Sequence, residues 1–91
     1  MGSEKPWWVY IIETDKGQLY IGITTSLERR WQEHCAVAQG KRNAKGAKFF
    51  RSQSPQKMVY QEGYLSRSEA SQREAVLKKL SHQQKALLIK K

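Results

Sequence analysis

Three side chains at intervals of ten residues, Tyr10, Tyr20 and Arg30, carry groups that can act on a phosphate ester. A phenol can exchange a proton with a reacting group, and a guanidinium can hold two phosphate oxygens through its planar fork of N–H groups. This chemistry requires the two phenols to share one face, with the guanidinium beside them. From the two tyrosines alone, a hairpin with two half-buried rings is the simpler interpretation.

The elements that would position the phenols are two strands joined by a tight turn. Residues 7–14 and 19–24 are rich in β-branched and aromatic residues, which favour strands. Between them, Asp15-Lys16-Gly17 fits a three-residue loop with the glycine in the left-handed conformation. We therefore predict a β-hairpin.

The register of this hairpin decides where the phenols lie. The three-residue loop pairs Ile12 with Tyr20 and Tyr10 with Gly22. Because side chains alternate between the faces of a strand, Tyr10 and Tyr20 then share a face. Gly22 has no side chain, so we expect it to leave space opposite Tyr10 where a substrate can approach.

A helix after the hairpin would carry the guanidinium. Thr25, with Glu28 three residues later, has the pattern of a capping box, and Gly40 is a suitable helix end. Arg30 and His34, four residues apart, are expected at the edge of the core and facing the hairpin. The residues predicted to form the inward stripe of this helix are Leu27, Trp31, Cys35 and Ala38.

The second half of the chain has the pattern of a loop, a strand and two helices. Residues 41–54 show no strong period, and Pro55 is predicted to open a third strand near Lys57–Glu62. Leu65 and Ala70 match a hydrophobic staple at the start of the next helix. Two further capping boxes predict the starts of both helices: Ser66 with Glu69, and Ser81 with Gln84.

The charge of the chain favours a polyanionic partner. Seventeen Lys and Arg against eight Asp and Glu give a formal net charge of +9 and a pI near 9.9. Phe49 and Phe50 are interpreted as core residues within a segment from His34 to Gln61 that contains no acidic residue. The cations of this acid-free segment are Lys41, Arg42, Lys45, Lys48, Arg51 and Lys57. We expect them to follow a phosphate backbone.

Size and composition limit the class of protein. We expect residues 1–91 to form one domain, with residues 1–5 as a flexible N-terminus. A hydrophobic fraction of 38% favours a globular fold over disorder, and no apolar run approaches the length of a membrane span. The single cysteine, Cys35, is interpreted as buried and structural. One cysteine permits no internal disulfide, which fits a cytoplasmic protein.

Glu74 has two interpretations. It falls four residues after Ala70 and three before Leu77, at the border of an apolar stripe. A carboxylate in such a place is costly unless it is paired or bound to a cation. It is therefore either a metal ligand or an ion-pair partner. The candidate partners are Arg73, Lys78 and Arg30.

The order and spacing of these residues resemble the GIY-YIG endonucleases, and above all their small stand-alone bacterial members. The resemblance covers about residues 6 to 89. Two departures stand out: Trp8-Val9 replaces the Gly-Ile of the first motif, and Asn43 is the only asparagine, so a late asparagine of larger members has no counterpart. The matching segments are Val9-Tyr10, Leu19–Gly22, Leu27–His34, Lys45–Phe49, Arg73-Glu74 and Gln84-Lys85.

The resemblance implies a fold and a set of roles. The fold is α+β: a small three-stranded antiparallel sheet flanked by helices, in ββαβαα order. By position, Tyr10 and Tyr20 become the paired phenols, Arg30 the phosphate clamp, His34 a helper, and Glu74 the ligand of Mg²⁺ or Mn²⁺. The resemblance leaves open which phenol accepts the proton from water. Tyr20 is preferred because it begins the better-matched motif.

The predicted function is hydrolysis of phosphodiester bonds in nucleic acid, DNA more than RNA, by a divalent-metal-dependent endonuclease. One cysteine and two histidines could scarcely build a separate zinc-based specificity domain, so we expect structure-selective or partner-directed cutting in DNA repair or recombination. One alternative is a non-catalytic nucleic-acid-binding module with the same fold. A basic, amphipathic membrane-surface binder is the weaker alternative. The predicted nucleic-acid-binding residues are Lys41, Arg42, Lys45, Lys48 and Arg51.

Overall fold

The computed structural model describes residues 5–90, which form a three-stranded antiparallel sheet with helices on both faces. The predicted α+β fold in ββαβαα order is confirmed. The strands are β1 (Trp7–Thr14), β2 (Leu19–Thr24) and β3 (Pro55–Tyr64), in the order β2-β1-β3. The helices are α1 (Leu27–Ala38), α2 (Arg67–Lys78) and α3 (His82–Ile89). A 3₁₀ helix, Lys48–Arg51, interrupts the long loop before β3 and was not predicted.

The prediction of a flexible N-terminus, residues 1–5, falls outside the described residues except for Lys5. That residue is exposed and precedes β1 without regular structure. Among residues 5–90, no helix combines the length and the apolar composition needed to cross a membrane.

The predicted hairpin and its register are confirmed. Tyr10 pairs with Gly22, and Ile12 pairs with Tyr20, so both phenols lie on one face of the sheet. The Thr14 N–H donates to the carbonyl of Gln18 at 2.9 Å, which closes the three-residue loop. Gly17 lies in the left-handed region, at φ 78°, where other residues are strained.

The two faces of the sheet have separate cores. On one face, Val9, Ile11 and Ile21 pack against Ala70 and Leu77 of α2. Burying these side chains fixes α2 against β1 and β2 through the hydrophobic effect.

The opposite face holds the phenols. Tyr10 and Ile12 of β1 pack there against Val37 of α1 and Phe50 of the 3₁₀ helix. Phe49 is partly buried against the same cluster, so the assignment of both phenylalanines to the core is confirmed.

The start of α1 differs from its prediction by one residue. Ser26, not Thr25, is the cap, and its hydroxyl accepts the N–H of Arg29 at 3.2 Å. The reason lies in β2, because the Thr24 hydroxyl at the end of that strand hydrogen-bonds both the N–H and the carbonyl of Ser26. Thr24 therefore fixes Ser26 at the position where the chain enters the helix.

The predicted caps of α2 and α3 are found at Ser66 and Ser81. Each hydroxyl accepts the N–H three residues ahead, and the box of Ser81 is completed by the Gln84 side chain. The predicted staple is wrong, since Leu65 is 84% exposed. Tyr64, the residue before it and the last of β3, is the one that packs against the core cluster containing Ala70.

The inward face of α1 is rotated from the predicted stripe. His34 and Val37 are its buried residues, whereas the four residues of the predicted stripe, Cys35 among them, are only partly buried. The helix turns this way because Val37 packs with Tyr10 and Phe50. The predicted end at Gly40 is confirmed, with φ 74° and hydrogen bonds of the Schellman type.

Candidate active site

A buried pair joins the sheet to α1 at the centre of the candidate site. The Tyr10 hydroxyl lies 2.8 Å from Nε2 of His34, and the two residues are 1% and 0% exposed. The helical pattern predicted the imidazole at the edge of the core, but it lies inside the core. Its position makes His34 a support for Tyr10.

The tautomer of His34 follows from its second hydrogen bond. The backbone N–H of Ala47 donates to Nδ1 at 3.1 Å, so Nδ1 carries no proton. Burial, together with the nearby charge of Arg30, lowers the pKa of His34 to about 4, so the ring is neutral at pH 7. Its one N–H is thus on Nε2 and donates to the Tyr10 oxygen. The phenolic hydrogen of Tyr10 then has to point to another acceptor.

Tyr10 is held in its protonated form. Burial raises the pKa of its phenol, and the neighbouring Tyr20 raises it further. The positive charge of Arg30 acts in the opposite direction, and the negative charge of Glu74 raises the pKa again.

Tyr20 is the more accessible phenol and belongs to an aromatic cluster. Its ring is partly buried, and its centroid lies 5.2 Å from that of His34 and 5.0 Å from that of Phe50. The rings of Tyr10 and Phe49 lie 6.2 and 5.2 Å away. These contacts fix the ring without using its hydroxyl.

Gly22 has a different role from the predicted one. A β-carbon at Gly22 would lie 2.5 Å from the Tyr10 oxygen and 3.1 Å from Cε2 of Tyr20. The phenol of Tyr10 itself fills the space that the pattern suggested for a substrate. Since β2 is an edge strand, crossing Gly22 brings the Tyr10 oxygen to the edge of the sheet.

We expect Gly22→Ala to destabilise the protein by about 1–3 kcal/mol, because the methyl group must displace the phenol of Tyr10. Urea unfolding measures this loss. Gly63→Ala is the matched control on β3. Its β-carbon would lie 3.2 Å from Cζ3 of Trp8, whose ring is only half-buried and can shift more easily, so the loss should be smaller. Equal free energies of unfolding for both variants would contradict the close approach at Gly22.

Arg30 is anchored beside the phenols. Its Nη1 donates to Glu33 Oε1 at 2.8 Å and to the carbonyl of Lys45 at 3.1 Å. Burial lowers its pKa, but hydrogen bonding to Glu33 and Tyr10 raises the pKa overall, so the guanidinium stays charged. Both anchoring contacts use one nitrogen of a group that carries five N–H donors.

The loop after α1 folds back onto the site, which the sequence analysis missed. Lys45 supplies the carbonyl to Arg30, and Ala47 supplies the N–H to His34. Between them, Gly46 packs so closely that a β-carbon would collide with the carbonyl of Glu33 and lie 2.7 Å from Cα of His34. A glycine in a loop without periodicity was the one local signal of this close approach.

Glu74 lies half-buried on α2, with Oε2 at 3.2 Å from Nζ of Lys78. Of the three partners considered for Glu74, this structure pairs it with Lys78, whose side chain is 57% exposed. A pair this open to water contributes little to stability. Arg73 instead holds Glu62 of β3 through two hydrogen bonds of 3.0 and 3.1 Å.

The donors near Tyr10 fit one kind of metal site. In the part of the chain that the structure describes, no three His, Cys, Asp or Glu side chains are placed to share an ion. Both nitrogens of His34 are already hydrogen-bonded, so Glu74 stays the predicted protein ligand. This set fits a hard divalent cation held by one carboxylate, with its other positions filled by water and substrate oxygens.

The predicted nucleic-acid-binding residues lie together on the loop between α1 and β3. All five side chains are exposed, and none takes part in the ion pairs found among residues 5–90. They are therefore available to an anionic partner. The five are Lys41, Arg42, Lys45, Lys48 and Arg51.

We expect the stability of the protein to fall as the pH is lowered through the range set by His34. Its pKa is about 4 in the folded protein and near 6.5 when unfolded, so the unfolded chain binds the extra proton. This contribution is fully present above pH 6.5 and is lost toward pH 4. Urea unfolding at pH 5 should show about 2 kcal/mol less stability than at pH 7.5.

The control for this prediction is the other histidine. His82→Gln changes an exposed ring, so it should leave the difference between pH 5 and pH 7.5 intact. His34→Gln removes the buried ring and should reduce that difference. A pH dependence that survives in His34→Gln and disappears in His82→Gln would contradict the assignment.

Comparison with known proteins agrees with this geometry. The model of the GIY-YIG catalytic domain family matches residues 6–86. A UPF0213 protein of Desulfotalea psychrophila is 45% identical over 97% of this chain and 76% of its own length. One of Photorhabdus laumondii is 40% identical over 96% of this chain and 77% of its own length.

A solved structure shares the fold as well. The solution NMR structure of a UPF0213 protein from Bacillus halodurans matches with a TM-score of 0.56 and 30% identity, over 93% of this chain and 83% of that chain. Family membership implies a nuclease-like function that acts on nucleic acid. The chain with the buried Tyr10–His34 pair is a member of the GIY-YIG family, and its relatives are small bacterial proteins of the UPF0213 group.

Proposed function

We propose that this protein is a divalent-metal-dependent endonuclease that hydrolyses phosphodiester bonds in DNA. The observation that carries the proposal is the placement of Tyr10 and Tyr20 on one face of the sheet, packed against the helix that carries Arg30, in a chain of the GIY-YIG family. With the Glu74 carboxylate, these groups supply the three things that hydrolysis of a phosphate ester needs: a proton acceptor, a cation to neutralise the phosphate, and a metal ligand.

Arg30 is the phosphate clamp in this proposal. Its Nη1 is held by Glu33 and Lys45, so the guanidinium is positioned before the substrate arrives. The remaining N–H groups neutralise the nonbridging oxygens as negative charge grows in the transition state. Lysine could supply the charge but not the planar fork.

To accept the proton of the attacking water, Tyr20 first gives up its own phenolic hydrogen to a solvent water. It is the partly exposed phenol, whereas burial keeps Tyr10 protonated. Tyr10, whose oxygen accepts the N–H of His34, has its own hydrogen to donate to a phosphate oxygen. His34 is then a positioning residue for Tyr10.

Glu74 would hold the metal, Mg²⁺ or Mn²⁺. When bound, the cation neutralises phosphate charge and lowers the pKa of water. The Lys78 ammonium opposite Glu74 is largely exposed, so it can swing away without loss of packing.

The loop between α1 and β3, with its five exposed cations, holds the nucleic-acid backbone. We place the activity on DNA in the cytoplasm, in repair or recombination. The folded chain has one small sheet and three helices within residues 5–90, with little surface left to read a long sequence. Selection by DNA structure or by a protein partner fits this size better than sequence-specific cutting.

A panel of labelled oligonucleotides tests the proposal. Single-stranded, duplex and branched DNA, with RNA counterparts, are incubated with Mg²⁺ or Mn²⁺ and then with EDTA. Metal-dependent cuts in at least one DNA support the endonuclease. Tight binding to the whole panel with no cut under any condition would favour the alternative, a non-catalytic binding module.

A further inference from the structure

A groove of about 520 Å³ lies beside the C-terminal end of α1, against the loop that follows it. Its lining includes the small residues Ala38 and Ala44, together with Asn43. Three cations also line it: Lys41, Lys48 and Arg51. The groove thus combines small side chains, which leave room for a ligand, with positive charge.

The charge of the groove is not neutralised by neighbours. No Asp or Glu lines it, and the chain has no acidic residue from His34 to Gln61. Its three cations are absent from the ion pairs found between residues 5 and 90. A concave surface with unpaired cations concentrates anions from solution.

The size and the lining fit one nucleotide. Binding sites for small ligands commonly enclose about 300–1,000 Å³ and combine apolar walls with a few polar groups. Small side chains leave room for a base, an amide can hydrogen-bond a base edge, and cations suit a phosphate. The bases of a duplex are stacked and paired inside the helix, so only an unpaired nucleotide can enter such a groove.

We infer that this groove is a subsite for one unpaired nucleotide of the substrate, with its phosphate at Lys41, Lys48 and Arg51. The inference rests on the proposed function and adds the class of substrate: DNA with a single-stranded portion next to the bond that is cut.

The groove adjoins the candidate active site through the 3₁₀ helix Lys48–Arg51. Lys48 and Arg51 line the groove, whereas the ring of Phe50 lies 4.5 Å from His34 and 5.0 Å from Tyr20. A nucleotide in the groove therefore lies on a different side of this short helix from the phenols. The neighbouring Ala47, whose N–H fixes His34, links the two sites further.

The test compares a blunt duplex with the same duplex bearing a single-stranded tail, by fluorescence anisotropy in EDTA so that no cutting occurs. The groove variant is Lys41→Gln/Lys48→Gln/Arg51→Gln. The matched control, Arg42→Gln/Lys45→Gln/Lys57→Gln, removes the same charge from the same acid-free segment but from residues outside the groove. Thermal melts establish that both variants are folded.

We expect the natural protein to bind the tailed duplex about tenfold more tightly than the blunt one. The groove variant should lose this preference, while the control should bind both DNAs more weakly by the same factor. A tail of abasic nucleotides should remove most of the preference as well.

Two results would overturn the inference. One is equal affinity of the natural protein for tailed and blunt duplexes, and the other is a tail preference that survives in the folded groove variant. Either result leaves the endonuclease proposal standing, since cutting of blunt duplex in Mg²⁺ is measured separately. Failure to bind or cut any DNA would instead count against the proposed function.

Discussion

Replacing Glu74 by glutamine should lower the rate of DNA cleavage by about a hundredfold or more while the protein stays folded. The amide keeps the size of the side chain but lacks the negative charge that holds a divalent cation. The ion pair lost with Lys78 is largely exposed, so the free energy of unfolding should change by less than about 1 kcal/mol. Single-turnover cleavage and thermal melts in Mn²⁺ measure both quantities.

The partner residue supplies the control for Glu74. Lys78→Gln breaks the same ion pair from the other side and leaves the carboxylate in place. It should therefore keep cleavage near the natural rate. If both variants lost activity equally, the ion pair and not the carboxylate would be the functional element. Full cleavage by folded Glu74→Gln would remove Glu74 from the metal site.

Replacing Tyr20 by phenylalanine is the second change with a large expected effect, a loss of about 10²–10⁴-fold in the cleavage rate. The ring contacts to His34 and Phe50 survive, because the substitution removes only the hydroxyl. Stability should therefore be nearly unchanged. The prediction is tested by measuring cleavage rates as a function of pH, and free energies of unfolding in urea, for Tyr20→Phe and the natural protein.

Tyr10→Phe should behave differently, although it removes the same group. Here the hydroxyl oxygen accepts the buried Nε2–H of His34, and its loss leaves that donor without a partner. We expect about 1–3 kcal/mol of destabilisation in addition to reduced cleavage. Near-natural cleavage by Tyr20→Phe, with none by a fully stable Tyr10→Phe, would reverse the assignment of the proton acceptor.

The features of the fold that local sequence determines were predictable. The turn needs a left-handed residue, which Gly17 supplies, and that turn fixes the pairing of Tyr10 with Gly22. The start of α1 was wrong by one residue because Thr25 and Ser26 are both good caps. The choice between them depends on hydrogen bonds between the Thr24 side chain and Ser26, and the predicted cap did not take these bonds into account.

The parts of the site that depend on distant contacts were not predictable. His34 was predicted at the edge of a helix stripe, but hydrogen bonds with the phenol of Tyr10 and the N–H of Ala47 make its full burial tolerable. Gly22 was predicted to open space for a substrate, but the Tyr10 ring crosses β2 there, and its direction depends on packing. The positions of residues along the sheet were predictable, whereas their partners across the core were not.

The most direct test of the central claim is single-turnover cleavage of one labelled branched DNA by the purified protein, in Mg²⁺ or Mn²⁺ and in EDTA. The Tyr20→Phe/Glu74→Gln double variant, purified in the same way, is measured beside it. We predict discrete cuts by the natural protein with metal, none in EDTA, and none by the folded double variant. Cleavage at the same rate in EDTA, or by the double variant, would contradict the proposed site.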